Sequence, residues 1–249
     1  MKKILYAVLV MAVSMGILNA DGTVLDASKF PDLKKMNVVL QDPVLTIKGA
    51  IEKPDSYVLK LEAKSPQGAQ LITAFLDKKS SELYIGSAYD KEGKQIIFPK
   101  DINVVKEGVA FSYGTGKKEI YLVTDPECPY CIKFEKSAQG KLNDYTVHVI
   151  LFPLSFHKKS PAMVEWIMQG KDDSERYTRF KEVMLKGSKK YTSLIKDTKK
   201  PFKYSEAVSE RMKKFNAATI ELGVRGTPSL FNEALDPVSQ DELLKSSKK

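Results

Sequence analysis

The sequence predicts an α+β protein in which a small strand-rich unit precedes a larger α/β unit. Three observations predict it. Short strand-like runs separated by turn chemistry fill residues 23–103, and a strand–helix–strand pattern follows from Lys117. Residues 155–222 then read as mostly helical by period. Composition is consistent with this: 249 residues, 43% hydrophobic and 29% charged, with 14 Gly, 12 Pro and 2 Cys, exclude collagen-like, disordered and disulfide-scaffold chains. The net charge of +9 comes from lysine, since arginine stands only at Arg176, Arg179, Arg211 and Arg225. A dispersed lysine excess implies a solvated surface and no nucleic-acid partner, because bidentate guanidinium contacts are what such partners favour.

The elements follow in order. Lys2 and Lys3 precede an apolar run over 4–18, too short for a membrane span of about 20 residues, and Ala20 offers a small residue for cleavage. Residues 1–20 therefore read as a secretory signal peptide. A short helix is expected over 27–36. Strands are expected at 38–40 and 44–47 around Asp42-Pro43, then at 57–61, 71–76 and 83–86. Asp90-Lys91-Glu92-Gly93 suits a hairpin turn before 96–98. This unit holds no His, no Cys and no catalytic constellation, so it reads as a binding or assembly domain. Residues 99–116 look like a linker with a short helical piece at 104–109.

From Lys117 the pattern changes. Residues 120–124 form a buried-strand pattern that Asp125-Pro126 must end. A helix runs from Pro129 towards Ala138, with Gly140 available to stop it. Residues 145–152 are a second strand, halted by Pro153. Strand, helix and strand with a crossover of this length make a βαβ unit and hence a parallel pair. Tyr177, Phe180 and Met184 repeat at helical spacing, as do Val208, Met212, Phe215 and Leu222, and Gly223 is placed to cap the latter helix. Gly226-Thr227-Pro228 leads into a short apolar strand, and residues 246–249 are an expected solvated tail.

Both cysteines lie in one motif, Cys128-Pro129-Tyr130-Cys131. A bond between them closes too small a loop to constrain the unfolded chain, so it is no structural staple. A zinc site needs four ligands, and the histidines, His148 and His157, have the wrong spacing. Haem attachment needs His at 132, which is Ile132. Redox chemistry remains. Asp125-Pro126 places Cys128 at a helix N-cap with Pro129 at the first helical position. Free N–H groups and the positive end of the helix dipole favour a thiolate there. Cys128 is then the attacking sulfur, and the less exposed Cys131 resolves the mixed disulfide. Thr227-Pro228, before an apolar strand, is expected to be a cis peptide presenting a backbone edge to an extended client chain. Both histidines read as ordinary packing or surface residues.

Residues 121–131, Tyr-Leu-Val-Thr-Asp-Pro-Glu-Cys-Pro-Tyr-Cys, together with 223–228, Gly-Val-Arg-Gly-Thr-Pro, resemble the DsbC/DsbG family of periplasmic thiol:disulfide interchange proteins. The resemblance implies a cystatin-like dimerisation domain at 21–100 and a helical linker at 101–116. It further implies a thioredoxin-like α/β catalytic domain at 117–249, with a helical insertion over about 155–222. It implies a V-shaped homodimer that isomerises or reduces incorrect disulfides in unfolded or misoxidised exported proteins. Cys128 and Cys131 would be catalytic, Pro129 and Tyr130 the active-site dipeptide, and Thr227 and Pro228 the substrate-binding loop. No metal and no cofactor beyond the redox-active Cys128–Cys131 disulfide is implied, and a membrane thiol reductase, or oxidase, would be the redox partner. A dimeric dithiol oxidase and a holdase-like chaperone are the alternative readings. This chain lacks the family isomerase's second disulfide. Leu122 occupies the position where some thioredoxin relatives keep a buried acid, so none is expected there. Glu127 would oppose a Cys128 thiolate if its side chain turned inward.

Overall fold

The computed structural model describes residues 22–65, 68–197 and 200–246. The expected signal peptide and the last three residues of the expected tail lie outside them. The chain divides into two compact units, the first ending at Phe98 and the second running from Pro99, with the short piece up to Leu71 at the start of β4 grouped with the second.

The first unit is a sheet in the order β1 (Thr23–Val24), β2 (Leu45–Glu52), β3 (Ser56–Ser65), β4 (Gly68–Asp77) and β5 (Leu83–Ile85). A 3-10 turn (Ala27–Lys29) and α1 (Phe30–Met36) precede the long strands. Leu33 of α1 and Leu40 close a core with Leu59, Leu61, Ala74 and Leu76. Residues 38–40 are not the expected strand. They lie in a 3-10 turn (Val38–Gln41), because Asn37 Oδ1 accepts the Val39 N–H at 3.0 Å and its amide donates to Ser81 O at 2.9 Å. A side chain that captures its own backbone in this way competes with strand pairing. The expected hairpin forms between β6 (Ala88–Tyr89) and β7 (Gln95–Ile96), with Gly93 in the left-handed region at φ 78°.

The second unit carries a four-stranded sheet ordered β11-β9-β10-β8. Its strands are β8 (Phe111–Tyr113), β9 (Lys118–Thr124), β10 (Tyr145–Leu151) and β11 (Ser229–Asn232). β9 and β10 pair in parallel, as the crossover requires, while β8 and β11 run antiparallel to their neighbours. Part of the stretch read as linker is therefore sheet. β8 has only three residues, and its one fully buried side chain is Phe111, too little for a period to register. The helices are α2 (Ile102–Glu107), α3 (Pro129–Ala138), α4 (Ser160–Met168), α5 (Asp173–Met184), α6 (Glu206–Leu222) and α7 (Gln240–Ser246). α6 ends at Gly223, which adopts the left-handed cap conformation at φ 68°. Among the described residues of 185–205, part of the stretch read as mostly helical, the helical structure is a 3-10 segment (Lys190–Leu194). Gly187, at φ 64°, ends the helical path after α5.

Phe111 packs on Phe180, and Tyr113 stacks on Tyr177 with centroids 4.1 Å apart, seating α5 on the sheet. Each large apolar side chain buried this way contributes about 1.5–3 kcal/mol. Ala162, Met163, Val183 and Tyr191 form a separate cluster within the helical insertion. The sheet's register matters most for chemistry. Val123, near the end of β9, faces Ser229, the first residue of β11. The segments that leave β9 and enter β11 are thereby set side by side.

Candidate active site

Those two segments carry the sequence motifs. β9 ends at Thr124, and a turn closed by the Cys128 N–H on Asp125 O (3.1 Å) brings the chain to Cys128. Cys128 has extended backbone (φ −68°, ψ 122°) and is the N-cap of α3, with Pro129 beginning the helix. Its carbonyl accepts the Ile132 N–H at 3.0 Å, the first intrahelical bond of an N-cap. Across the gap, the Thr227–Pro228 peptide is cis. The Cys128 thiol donates to Thr227 O at 3.6 Å. Pro129 and Tyr130 stand out into solvent, Tyr130 with 73% of its surface exposed. Cys128 keeps 4% of its surface exposed and Cys131 none, and the two are unbonded here.

Cys131 lies one turn into α3, and its sulfur accepts the Asp125 N–H at 3.4 Å. Burial pushes the Cys131 thiol up to about 12, against the opposing pull of that N–H and of the Thr124 and Thr227 hydroxyls. The pair is asymmetric, as the sequence suggested: one sulfur touches the cis-proline loop, and the other is sealed beneath it.

The residue that organises this corner, Asp125, stands in the sequence only as a strand end. Asp125 is fully buried. Its Oδ1 accepts the Glu127 N–H (2.9 Å) and the Ser160 hydroxyl (2.6 Å), and its Oδ2 accepts the Leu154 N–H (2.7 Å). His157 Nδ1 also lies 2.7 Å from Oδ2. An ionised carboxylate only accepts, so Nδ1 carries the proton. His157 is thus no ordinary surface residue, and its reading is corrected. Apart from the Glu127 N–H, the ligands of Asp125 come from the turn after β10 and the start of α4, distant segments that no local pattern links to Asp125. His148 has a different role: its Nδ1 meets Ser112 Oγ at 2.9 Å across the β8–β10 pair. Leu122 is buried in β9, and the acid of this site enters three residues later.

Glu127 does not turn toward the sulfur. Its Oε2 accepts the Lys159 (2.6 Å) and Ser160 (2.8 Å) N–H groups and so caps α4, whose N-cap Lys159 provides no side-chain acceptor. A carboxylate is favoured there by the helix dipole. Asp125 and Glu127 together bind the helical insertion to the cysteine loop.

A second buried acid lies farther along α3. Glu135 is in the core, with one carboxyl oxygen lacking a hydrogen-bond partner, and burial pushes its carboxyl up to about 7. The folded protein keeps this proton at pH values where the unfolded chain, titrating near 4.5, has lost it. Stability therefore falls as pH rises from about 4.5 to about 7, then levels, a change of about 3 kcal/mol. Glu135→Gln is expected to flatten that slope and to raise stability at pH 8 by about 2–3 kcal/mol. Urea unfolding followed by Trp166 fluorescence checks this, since Trp166 is the chain's one tryptophan and lies in α4 of the same unit.

Residues 110–234 match the thioredoxin-like domain. No curated protein matches the chain. Among solved structures, the catalytic domain of Proteus mirabilis ScsC is 19% identical with a TM-score of 0.43, covering 59% of this chain and 93% of that one. Helicobacter pylori DsbG is 15% identical with a TM-score of 0.37, covering 81% and 99%. A disulfide interchange protein from Neisseria gonorrhoeae is 18% identical with a TM-score of 0.38, covering 58% and 98%. A Cys-x-x-Cys dithiol at the N-terminus of a helix in a thioredoxin fold is the arrangement of a thiol–disulfide oxidoreductase.

Proposed function

The chain belongs to the thioredoxin-like domain family, and from that premise we propose that it is a periplasmic thiol:disulfide interchange protein of the DsbC/DsbG kind. It isomerises or reduces incorrect disulfides in exported proteins. The observation that carries this reading is the Cys128 sulfur on the Thr227 carbonyl, a redox sulfur beside a backbone edge that an extended client can pair with.

Cys128, as thiolate, attacks one sulfur of a client disulfide. The new Cys128–client bond forms, the old client bond breaks, and the leaving client sulfur takes the electron pair and a proton. Either a second client thiol then displaces Cys128, completing isomerisation, or Cys131 does so and the client leaves reduced. The second outcome leaves a Cys128–Cys131 disulfide, which a membrane thiol reductase must return to the dithiol.

The first unit is assigned as a cystatin-like dimerisation domain over 21–100, ahead of a linker and the catalytic domain. A short helix followed by a largely antiparallel sheet is consistent with that assignment. So are the exposed apolar side chains Tyr84, Ile85 and Tyr89, the kind of surface a second copy covers. The apolar run near the N-terminus supports a periplasmic location.

Thiol trapping in cells tests direction: a mainly reduced Cys128–Cys131 pair is expected, and a mainly oxidised pair would make the protein a dithiol oxidase instead. Purified protein is expected to reactivate scrambled ribonuclease, and to sediment as a dimer. A Cys128→Ala variant that reactivated ribonuclease as well as the parent would refute the chemistry and leave a holdase role.

A further inference from the structure

We infer that Asp125, anchored by His157 and Ser160, is the positioning residue of the resolving step: its pinned carboxylate keeps the Asp125 N–H aimed at Cys131 Sγ. The inference rests on thiol–disulfide interchange at Cys128 and assigns residues to its second half.

Three observations converge. The Asp125 N–H is the one backbone donor bonded to the Cys131 sulfur among the described contacts, at 3.4 Å. Asp125 has just left β9, where neighbouring strands no longer fix the backbone, and Pro126 brings no N–H to hold the turn. The Asp125 carbonyl accepts the Cys128 N–H at 3.1 Å, and the Asp125 carboxylate anchors the turn to the rest of the unit by taking bonds from Glu127, Leu154, His157 and Ser160 on three separate segments. Such charge-assisted bonds are the strong ones, and inside a buried site they hold geometry tightly. His157 and Ser160 touch neither cysteine sulfur in any described contact, so they act through Asp125.

The step they serve begins with Cys128 joined to a client by a disulfide. Cys131 gives up its thiol proton, and its sulfur attacks the Cys128 sulfur. The Cys128–Cys131 bond forms, the Cys128–client bond breaks, and the client sulfur leaves with the electron pair and takes up one proton. As it attacks, the Cys131 sulfur bears negative charge in a site closed to water. A hydrogen bond to a charged group counts for more than one between neutral groups, so the aimed N–H lowers the barrier of this step more than that of the attack by Cys128.

The test compares two rates in the full-length protein, using a disulfide-linked peptide as the client. Attack by Cys128 is read in a Cys131→Ser background, where the mixed disulfide persists. Resolution is read with both cysteines present, as decay of the mixed disulfide after acid quenching and mass spectrometry. In the His157→Leu, Ser160→Ala double variant the ratio of resolution to attack is expected to fall about tenfold. His157→Gln, which keeps a donor for Oδ2, is expected to restore the ratio to within about threefold. An unchanged ratio overturns the inference, and so does an equal fall in both rates, the mark of a merely structural role. If the double variant does not fold, His157→Leu and Ser160→Ala are read singly on the same ratio. Absence of any mixed disulfide in the Cys131→Ser protein would instead overturn interchange itself, and the inference with it.

Discussion

Replacing Cys128 by Ser is expected to reduce disulfide interchange to background, a loss of about three orders of magnitude or more. Replacing Cys131 by Ser is expected to do something different: clients should remain attached to Cys128. The two sulfurs differ in where the fold puts them. Cys128 caps α3, where the unpaired N–H groups of the first turn concentrate positive potential. Its neighbours Pro129 and Tyr130 project into solvent, and its thiol lies against the cis-proline loop. Cys131 has no exposed surface, and burial holds its thiol near 12, so at neutral pH it is an unreactive thiol toward disulfides in solution. It becomes competent only when a disulfide is already bonded to its neighbour, which supplies an effective concentration no free thiol can match. Non-reducing electrophoresis with a disulfide-containing client separates the outcomes. Cys128→Ser should give no adduct and Cys131→Ser a persistent one, whereas an adduct through Cys131 in the Cys128→Ser protein would reverse the assigned roles.

That asymmetry was legible in the sequence, since Asp125-Pro126 breaks a strand and Pro129 starts a helix within four residues. The β9–α3–β10 unit and the α6 cap at Gly223 were legible for the same reason: period and punctuation are local properties. The sequence was silent wherever the decisive contact is not local. β8 is three residues long and is a strand only because β10 lies beside it. Residues 38–40 look like a strand by side-chain type, but the Asn37 side chain bends them. Asp125 looked like a strand terminator, and its ligands His157 and Ser160 stand about thirty residues away, brought back by the turn after β10. Glu135 is a different case, because a signal existed. It stands four residues after Cys131 on the inner face of α3, beside Phe134 and ahead of Ala138, a position helical spacing marks as buried. Its charge argued for solvent, and tertiary packing prevailed.

Asp125→Ala is expected to lower the stability of the second unit by about 3–5 kcal/mol, far beyond the loss of a few methylene contacts. The carboxylate is the common acceptor for four donors on three segments. Truncation strands the Ser160 hydroxyl, which has no exposed surface, and the N–H groups of Glu127 and Leu154. Each buried donor left unsatisfied costs about 1–3 kcal/mol, and water entering the vacated space recovers part of that. Asp125→Asn is expected to cost less, about 2 kcal/mol, because the amide keeps one acceptor for Glu127 and Ser160 while presenting a donor to Leu154 and His157. Urea midpoints read by Trp166 fluorescence order the three proteins. Because Glu127 still caps α4 through Lys159 and Ser160, the helical insertion should remain folded in Asp125→Ala, with its far-UV signal intact below the transition. If Asp125→Ala unfolded at the parent's midpoint, the carboxylate would be a bystander, and the Asp125 N–H would need some other reason to stand against Cys131. The expected loss ties stability and chemistry to one group: the bonds that hold the loop in place also aim its N–H at the resolving sulfur.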